Sequence, residues 1–328
     1  ANTETVAGSF TVSASDGILN VVIGGTTYTL AQLQGFNGSQ TINTGEGILT
    51  LLSYSGTASG GTVNYSYTLS ATIDNDSKAG ATLTEFDDSV TIAVNGVGGT
   101  SASDQLIVRI VDDTPTAKDE NGGTVTEDVA GSLNGNVLSN DVSGADTPAA
   151  FVGWAATGHN NSPSVTALST YGTFVQNGDG SWTYALDNSR PATQALTAAF
   201  NQSYDVWYTM KDADGDESIA KLTITIQGAN DTSSVVTVAA TGPDHLVYES
   251  GLNPSGSNAA ANTETVAGSF TVSASDGILN VVIGGTTYTL AQLQGFNGSQ
   301  TINTGEGILT LLSYSGTASG GTVNYSYT

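Results

Sequence analysis

The 328 residues suffice for two or three domains of ordinary size. With 30 acidic residues against 6 basic ones, a formal charge of -24, the chain lacks the cationic clusters that nucleic acid and anionic lipid require; such a surface attracts divalent cations and also keeps a long polymer soluble. Cysteine is absent, so no disulfide or thiolate site exists, and no apolar run approaches the ~20 residues of a membrane span.

Along the chain, the first residues, Ala1-Asn2-Thr3-Glu4, show no basic or apolar leader, so a targeting signal is expected outside this window. Ser9–Ala14, Asn64–Leu69 and Gln105–Ile110 alternate or cluster apolar and β-branched residues with period two and predict strands. Phe174–Gln176 and Trp182–Tyr184 flank Asn177-Gly178-Asp179-Gly180, a hairpin signal because Asn and Gly tolerate positive φ. Tyr204–Met210 and Ile219–Ile226 read as two further strands, and Ala192–Ala199 as a turn or two of helix. The 41 glycines and 6 prolines suit many tight turns between short strands, with no long amphipathic helix. The predicted fold class is all-β: tandem β-sandwiches in a linear repeat array.

Residues 1–68 recur without change at 261–328, a period of 260. The window is therefore out of phase with its domains. Residues 232–260 precede the second copy, and residues 69–112 follow the first. The expected division is 1–112, a sandwich whose opening strand region is missing; 113–231, a complete sandwich; and 232–328, the start of the next sandwich, its C-terminal part missing.

Acidic residues concentrate outside the duplicated segment, which holds only Glu4, Asp16 and Glu46 per copy. Three clusters suggest calcium. Asp212-Ala213-Asp214-Gly215-Asp216 lies between two strands, and alternate carboxylates with a glycine at the bend can wrap oxygens around one hard cation. It lacks the flanking helices and distal glutamate of an EF-hand, and the alternative is a solvated acidic turn. The second set lies at the domain junctions: Asp112 and Asp113 before Thr114-Pro115, and Asn230 and Asp231 after Gly228-Ala229. Asp119, Glu127, Asn140, Asp141 and Asp146 are candidate partners on the Asp112 side; a polar linker with Asx turns is the alternative. The third is Asp74-Asn75-Asp76 with Asp87-Asp88, flanking the turn Ala79-Gly80 and expected to converge at one end of a sandwich, with Asp104 and Glu249 as lesser contributors.

Residues 113–231 resemble the VCBS repeat, a cadherin-like module of giant bacterial adhesins. The resemblance rests on Thr126-Glu127-Asp128 leading to Leu133–Asp141, on Asn177–Asn188, on Asp212–Asp216 and on the closing Gly228-Ala229-Asn230-Asp231. Residues 1–112 and 232–328 are similar to extender domains of type I-secreted RTX adhesins, through Val247–Leu252, Ala14-Ser15-Asp16-Gly17 and Ile110–Pro115. The resemblance implies a stalk of Ig-like or cadherin-like sandwiches, stiffened by calcium, that projects a binding tip from a Gram-negative cell and supports biofilm formation. Its expected partners are calcium ions, neighbouring repeats and other copies of itself. Asn140–Asp146 is poorer in carboxylates than the usual loop of this kind, which weakens one ligand set. No Gly-Gly-x-Gly-x-Asp run occurs, so the calcium β-roll of such proteins lies outside the window.

Catalytic readings have little to stand on. His159 and His245 have no neighbouring nucleophile motif, and phosphate-loop and zinc-ligand patterns are missing. A carboxylate pair across a cleft remains conceivable for glycoside hydrolysis, although exact duplication suits scaffolding better. Trp154, Trp182 and Trp207 raise surface glycans as a further partner class, but Trp182 and Trp207 lie on strong strands and are assigned to the core; Tyr28, Tyr54, Tyr65 and Tyr67 are assigned there too. The expected function is a non-enzymatic spacer in a secreted, cell-surface adhesin. A self-assembling filament or sheath subunit and a carbohydrate-binding module are the alternatives.

Overall fold

Alternation of apolar and polar residues dictates the architecture of the computed structural model, which describes residues 4–237 and 245–328. The chain is all-β. Contacts gather it into two units: Ala1–Lys118 with Asn140–Val152 and Thr209–Ile219, and Asp119–Ser139 with Gly153–Tyr208 and Ala220–Thr328.

The first unit opens with β1 (Thr5–Ser13), β2 (Ile18–Ile23) and β3 (Thr26–Thr29). A five-residue helix follows, α1 (Leu30–Gln34), because Thr29 and Gln32 form a capping box that satisfies backbone donors at its start. β4 (Gln40–Asn43), β5 (Gly47–Thr57), β6 (Gly60–Leu69), β7 (Glu85–Gly96) and β8 (Ser101–Val111) complete the sandwich. One sheet has the order β1-β6-β5-β4 and the other β3-β2-β7-β8. Opposed pairs Leu49↔Tyr67 and Leu51↔Tyr65 put four buried side chains on one face, where they join Val21, Ile23, Leu33 and Val63. Tyr28, Tyr65 and Tyr67 are therefore core residues, and Tyr54 packs at the core's margin.

Beyond this sandwich lie β9 (Glu120–Thr126), β10 (Ser132–Asn136) and β11 (Ala150–Gly153). The helix α2 (Ser162–Tyr171) comes next. Pro163 lies in its first turn, where the missing N–H costs nothing. Ala192–Ala199, expected as a turn or two of helix, forms turns instead. β12 (Gly172–Gln176) and β13 (Ser181–Leu186) make the expected hairpin, closed by Asn177 N–H donating to the Ser181 carbonyl at 2.9 Å, with Gly180 at φ +80°. β14 (Asn201–Lys211) and β15 (Glu217–Gln227) flank the Asp212–Asp216 turn. The sheets here run β10-β13-β12 and β11-β14-β15-β9, with β15 and β9 parallel. Trp182 and Tyr184 are buried. Trp207 is only half-buried: His159 stacks on one face, with ring centroids 3.5 Å apart.

The second copy follows as β16 (Ser233–Thr237), β17 (Val266–Ala274), β18 (Asn280–Ile283), β19 (Thr286–Thr289), α3 (Leu290–Gln294), β20 (Gln300–Asn303), β21 (Ile308–Gly316) and β22 (Gly320–Tyr327). Its main sheet is β16-β17-β22-β21-β20, and β18-β19 forms a separate pair.

Candidate metal centre

The Asp212–Asp216 turn is built around its first carboxylate. Asp212 is buried, and its Oδ1 accepts the N–H groups of Gly215 at 3.1 Å and Asp216 at 2.9 Å. Those two bonds curl the backbone, and Gly215 at φ +125° permits a bend that a side chain would strain. Oδ2 of Asp212 is left without a donor, as are Oδ1 of Asp214 and Oδ2 of Asp216.

The tertiary fold brings two further acids to this turn. Ala213 N–H donates to the Asp146 carbonyl at 3.1 Å, fixing the 140–152 segment against the turn. Asp112, anchored at the end of β8 by its N–H to the Thr84 carbonyl at 3.0 Å, arrives from the first sandwich. Carboxylate oxygens of Asp112, Asp146 and Asp214 lie within 4.8 Å of one another, and so do those of Asp212, Asp214 and Asp216. The loop set and the Asp112 junction set, read from sequence as separate clusters, are one centre sharing Asp214.

Electrostatics follow from this crowding. Burial, with the Asp216 carboxylate alongside and Asp146 nearby, pushes the Asp112 carboxyl up to about 6. Burial, with Asp212 alongside and Asp146 and Asp112 nearby, pushes Asp214 up to about 7. Like charges this close disfavour joint ionisation, so Asp112 and Asp214 keep their protons to higher pH than solvated carboxylates do. A divalent cation removes that repulsion. Five acids from three chain segments, three of them with an oxygen free of donors, form a hard set of the kind calcium accepts at 2.3–2.6 Å with six to eight ligands.

A second acidic group occurs in the other unit. Glu127 is 1% exposed; its Oε2 accepts Ala229 N–H at 3.0 Å while Oε1 has no donor. Asp231 donates its N–H to Asp276 Oδ2 at 3.0 Å, and Oδ2 of Asp231 and Oδ1 of Asp276 are also buried without donors. The Asp231 carboxyl is raised by burial, with Asp128 and Asp276 adding repulsion. Asp276 was missed as a candidate, because its Ala-Ser-Asp-Gly setting was read only as a family motif.

The remaining candidates have other tasks. Asp113 Oδ2 accepts Ala145 N–H at 2.7 Å, Asp141 Oδ1 accepts Lys118 N–H at 2.7 Å, and Asn230 Oδ1 accepts Ala198 N–H at 2.9 Å. The expected convergence of Asp74 and Asp76 with Asp87 and Asp88 does not form. Asp74 caps its own turn through Ser77, Asp87 pairs with Arg109 at 2.9 Å, and Asp88 is buried, accepting Tyr67 Oη–H at 2.6 Å and Thr44 Oγ1–H at 2.5 Å. Strand alternation separates the last two: Asp87 faces solvent and Asp88 faces the core. Asp76 instead approaches Gly215, where an added Cβ would lie 2.8 Å from Asp76 Oδ2. Asp104 sits on β8 and accepts Gln105 N–H at 2.8 Å, and Glu249 lies exposed in a 3-10 turn; neither joins an acidic group of three among the described residues.

Residues 112–228 match the family model described as bacterial cadherin-like domain. That stretch is similar to a cadherin-like domain. It carries all five acids of the first group. No curated protein matches the sequence. Similar solved structures include mouse clustered PcdhgC3 EC1-3, at 13% identity over 68% of this chain and 61% of that one, with a TM-score of 0.25. Protocadherin Gamma B7 extracellular cadherin domains 1-4 is similar at 15% identity, 87% and 57% coverage and a TM-score of 0.30. An E-to-A mutated variant of titin domains I67-I69 is similar at 8% identity, 97% and 81% coverage and a TM-score of 0.25. This chain spans about three fifths of the first two. A cadherin-like domain is a structural, adhesion-type module of extracellular proteins, and no described helix is long and apolar enough to cross a membrane.

Proposed function

We propose that this chain is a spacer segment from the stalk of a large, secreted, repetitive cell-surface adhesin of the RTX type, which supports adhesion and biofilm formation. Its modules are the sandwiches of 1–112, 113–231 and 232–328. Calcium held by Asp112, Asp146, Asp212, Asp214 and Asp216 stiffens the seam between the first two, and Glu127, Asp231 and Asp276 serve the second seam. One observation carries this reading: five carboxylates from three separate segments form two triads that share Asp214, and one oxygen each of Asp212, Asp214 and Asp216 is buried without a donor. Mutual repulsion opposes the gathered arrangement in the ion-free chain, and a bound cation reverses the sign of that contribution. Exact duplication of a module suits the same role, since length then scales with copy number while each sandwich keeps its own core.

The test compares the chain in millimolar calcium with the chain in chelator. Calcium should raise the melting temperature and make the hydrodynamic radius insensitive to ionic strength, and Asp214→Asn should abolish most of both effects because Asp214 belongs to both triads. Unchanged melting and radius on chelation would remove calcium from the proposal.

A further inference from the structure

We propose that Asn75 is the first sandwich's own contact to the cation, so that the ion clamps the Thr72–Ser77 loop onto the acidic turn; this rests on the calcium reading above. Asn75 is 3% exposed, yet neither its Oδ1 nor its Nδ2 has a hydrogen-bond partner. An amide so buried gains no bond from the protein, and a bound ion at this place would satisfy its oxygen. The side chain lines one cleft with Thr72, Ile73, Ile110, Asp112 and Asp146, so it borders two of the acids that crowd Asp214.

Three other contacts hold the loop in place for this task. Asp74 Oδ1 accepts Ser77 N–H at 2.8 Å, which curls the backbone on either side of Asn75. Asp76 lies against Gly215 of the acidic turn, where an added Cβ would come 2.8 Å from Asp76 Oδ2. Lys78 pairs with Glu46 at 2.6 Å and lies 4.9 Å from the centre of the Phe86 ring, which ties the loop's far end to the first sandwich. The chemistry of the residue fits as well. A carboxamide oxygen is a hard ligand without charge, and it adds ligation where a sixth carboxylate would add repulsion. Four of the five acids come from the 112–228 cadherin-like stretch beyond β8, and Asp112 is its first residue. Asn75 adds to Asp112, at the end of β8, a ligand from the loop between β6 and β7 of the first sandwich.

Trypsin cleavage after Lys78 in the full chain reads this out, with terbium luminescence as a separate report of ion binding. Calcium should slow cleavage at Lys78 at least tenfold relative to chelator. Asn75→Leu, which keeps the volume and removes both polar atoms, should lose that protection while still binding terbium and melting no lower than the parent in chelator. Asn75→Asp, which restores an oxygen, should recover it. Full calcium protection in Asn75→Leu would overturn the role of Asn75 and leave the metal centre standing. Failure of the parent chain to bind terbium would overturn the calcium reading and this inference with it.

Discussion

The chain contains its own control: 68 identical residues fold twice in different surroundings. The main pairings and the capping box are the same in both, although β18 begins two residues later in the repeat than β2. β1 pairs with β6 through Phe10↔Val63 just as β17 pairs with β22 through Phe270↔Val323, and both copies form the Thr-x-x-Gln capping box. What differs is burial. In the first copy β7 lies along β2 through Val21↔Val94 and Ile23↔Ile92, and Leu49 is fully buried. Among the described residues no strand takes that place beside β18. There Leu279 is 83% exposed where Leu19 is 54%, and Leu309 is only partly buried. Conversely, β17 is covered by β16, whereas β1 is an edge. Propensity and turn chemistry are properties of the segment; core completeness belongs to its neighbours.

The largest expected effect compares Leu49→Ala with Leu309→Ala. The first leaves a cavity in a closed core and should cost about 3 kcal/mol; the second, already partly wet, should cost about half as much. Calorimetry that resolves the transitions of the two copies checks this, and equal costs would break the comparison. Tyr67→Phe and Tyr327→Phe probe the same difference with one atom. Tyr67 hydrogen-bonds buried Asp88, so its loss should cost about 1–3 kcal/mol, while the Tyr327 hydroxyl hydrogen-bonds exposed Thr304 at 3.1 Å and its loss should cost about 0.5 kcal/mol or less.

Protons sharpen the contrast in the ion-free chain. Asp112 and Asp214, raised to about 6 and about 7, bind protons more tightly folded than unfolded. Between the ordinary aspartate value and those raised values, stability of the first unit should therefore increase as pH falls, by on the order of 1 kcal/mol. Saturating calcium should cancel or invert that trend, as melting in chelator and in calcium from pH 7.5 to 5 would reveal. The smallest effect concerns one residue in two settings. Asp16 accepts the Gly98 N–H of the β7–β8 turn, whereas its twin Asp276 accepts the Asp231 N–H beside Glu127. Asp16→Ala should cost about 1 kcal/mol or less whether or not calcium is present, and Asp276→Ala should lower melting chiefly when calcium is present.

Most strands were legible because alternation sets which face is buried, and the Asn177–Gly180 hairpin because its turn residues tolerate the required φ. The clustering of Asp212, Asp214 and Asp216 was legible because their spacing is local. Which other acids reach it was not. Asp112 and Asp146 lie 34 residues apart and about 70–100 residues from the turn, so no local pattern links them. The third expected cluster shows the opposite error: Asp87 and Asp88 are adjacent in sequence, yet strand alternation sends one to Arg109 and the other under Tyr67.

The sequence by itself determined an acidic, cysteine-free, all-β chain with an exact 260-residue period, since charge, alternation and identity are read residue by residue. The tertiary structure alone decided that Asn75 is buried, that Asp214 sits between two triads, and that Asp16 and Asp276 diverge in use. The physical reason is range. Alternation and turn preference act over a few residues, whereas burial and carboxylate crowding depend on which distant segments the sheets bring together.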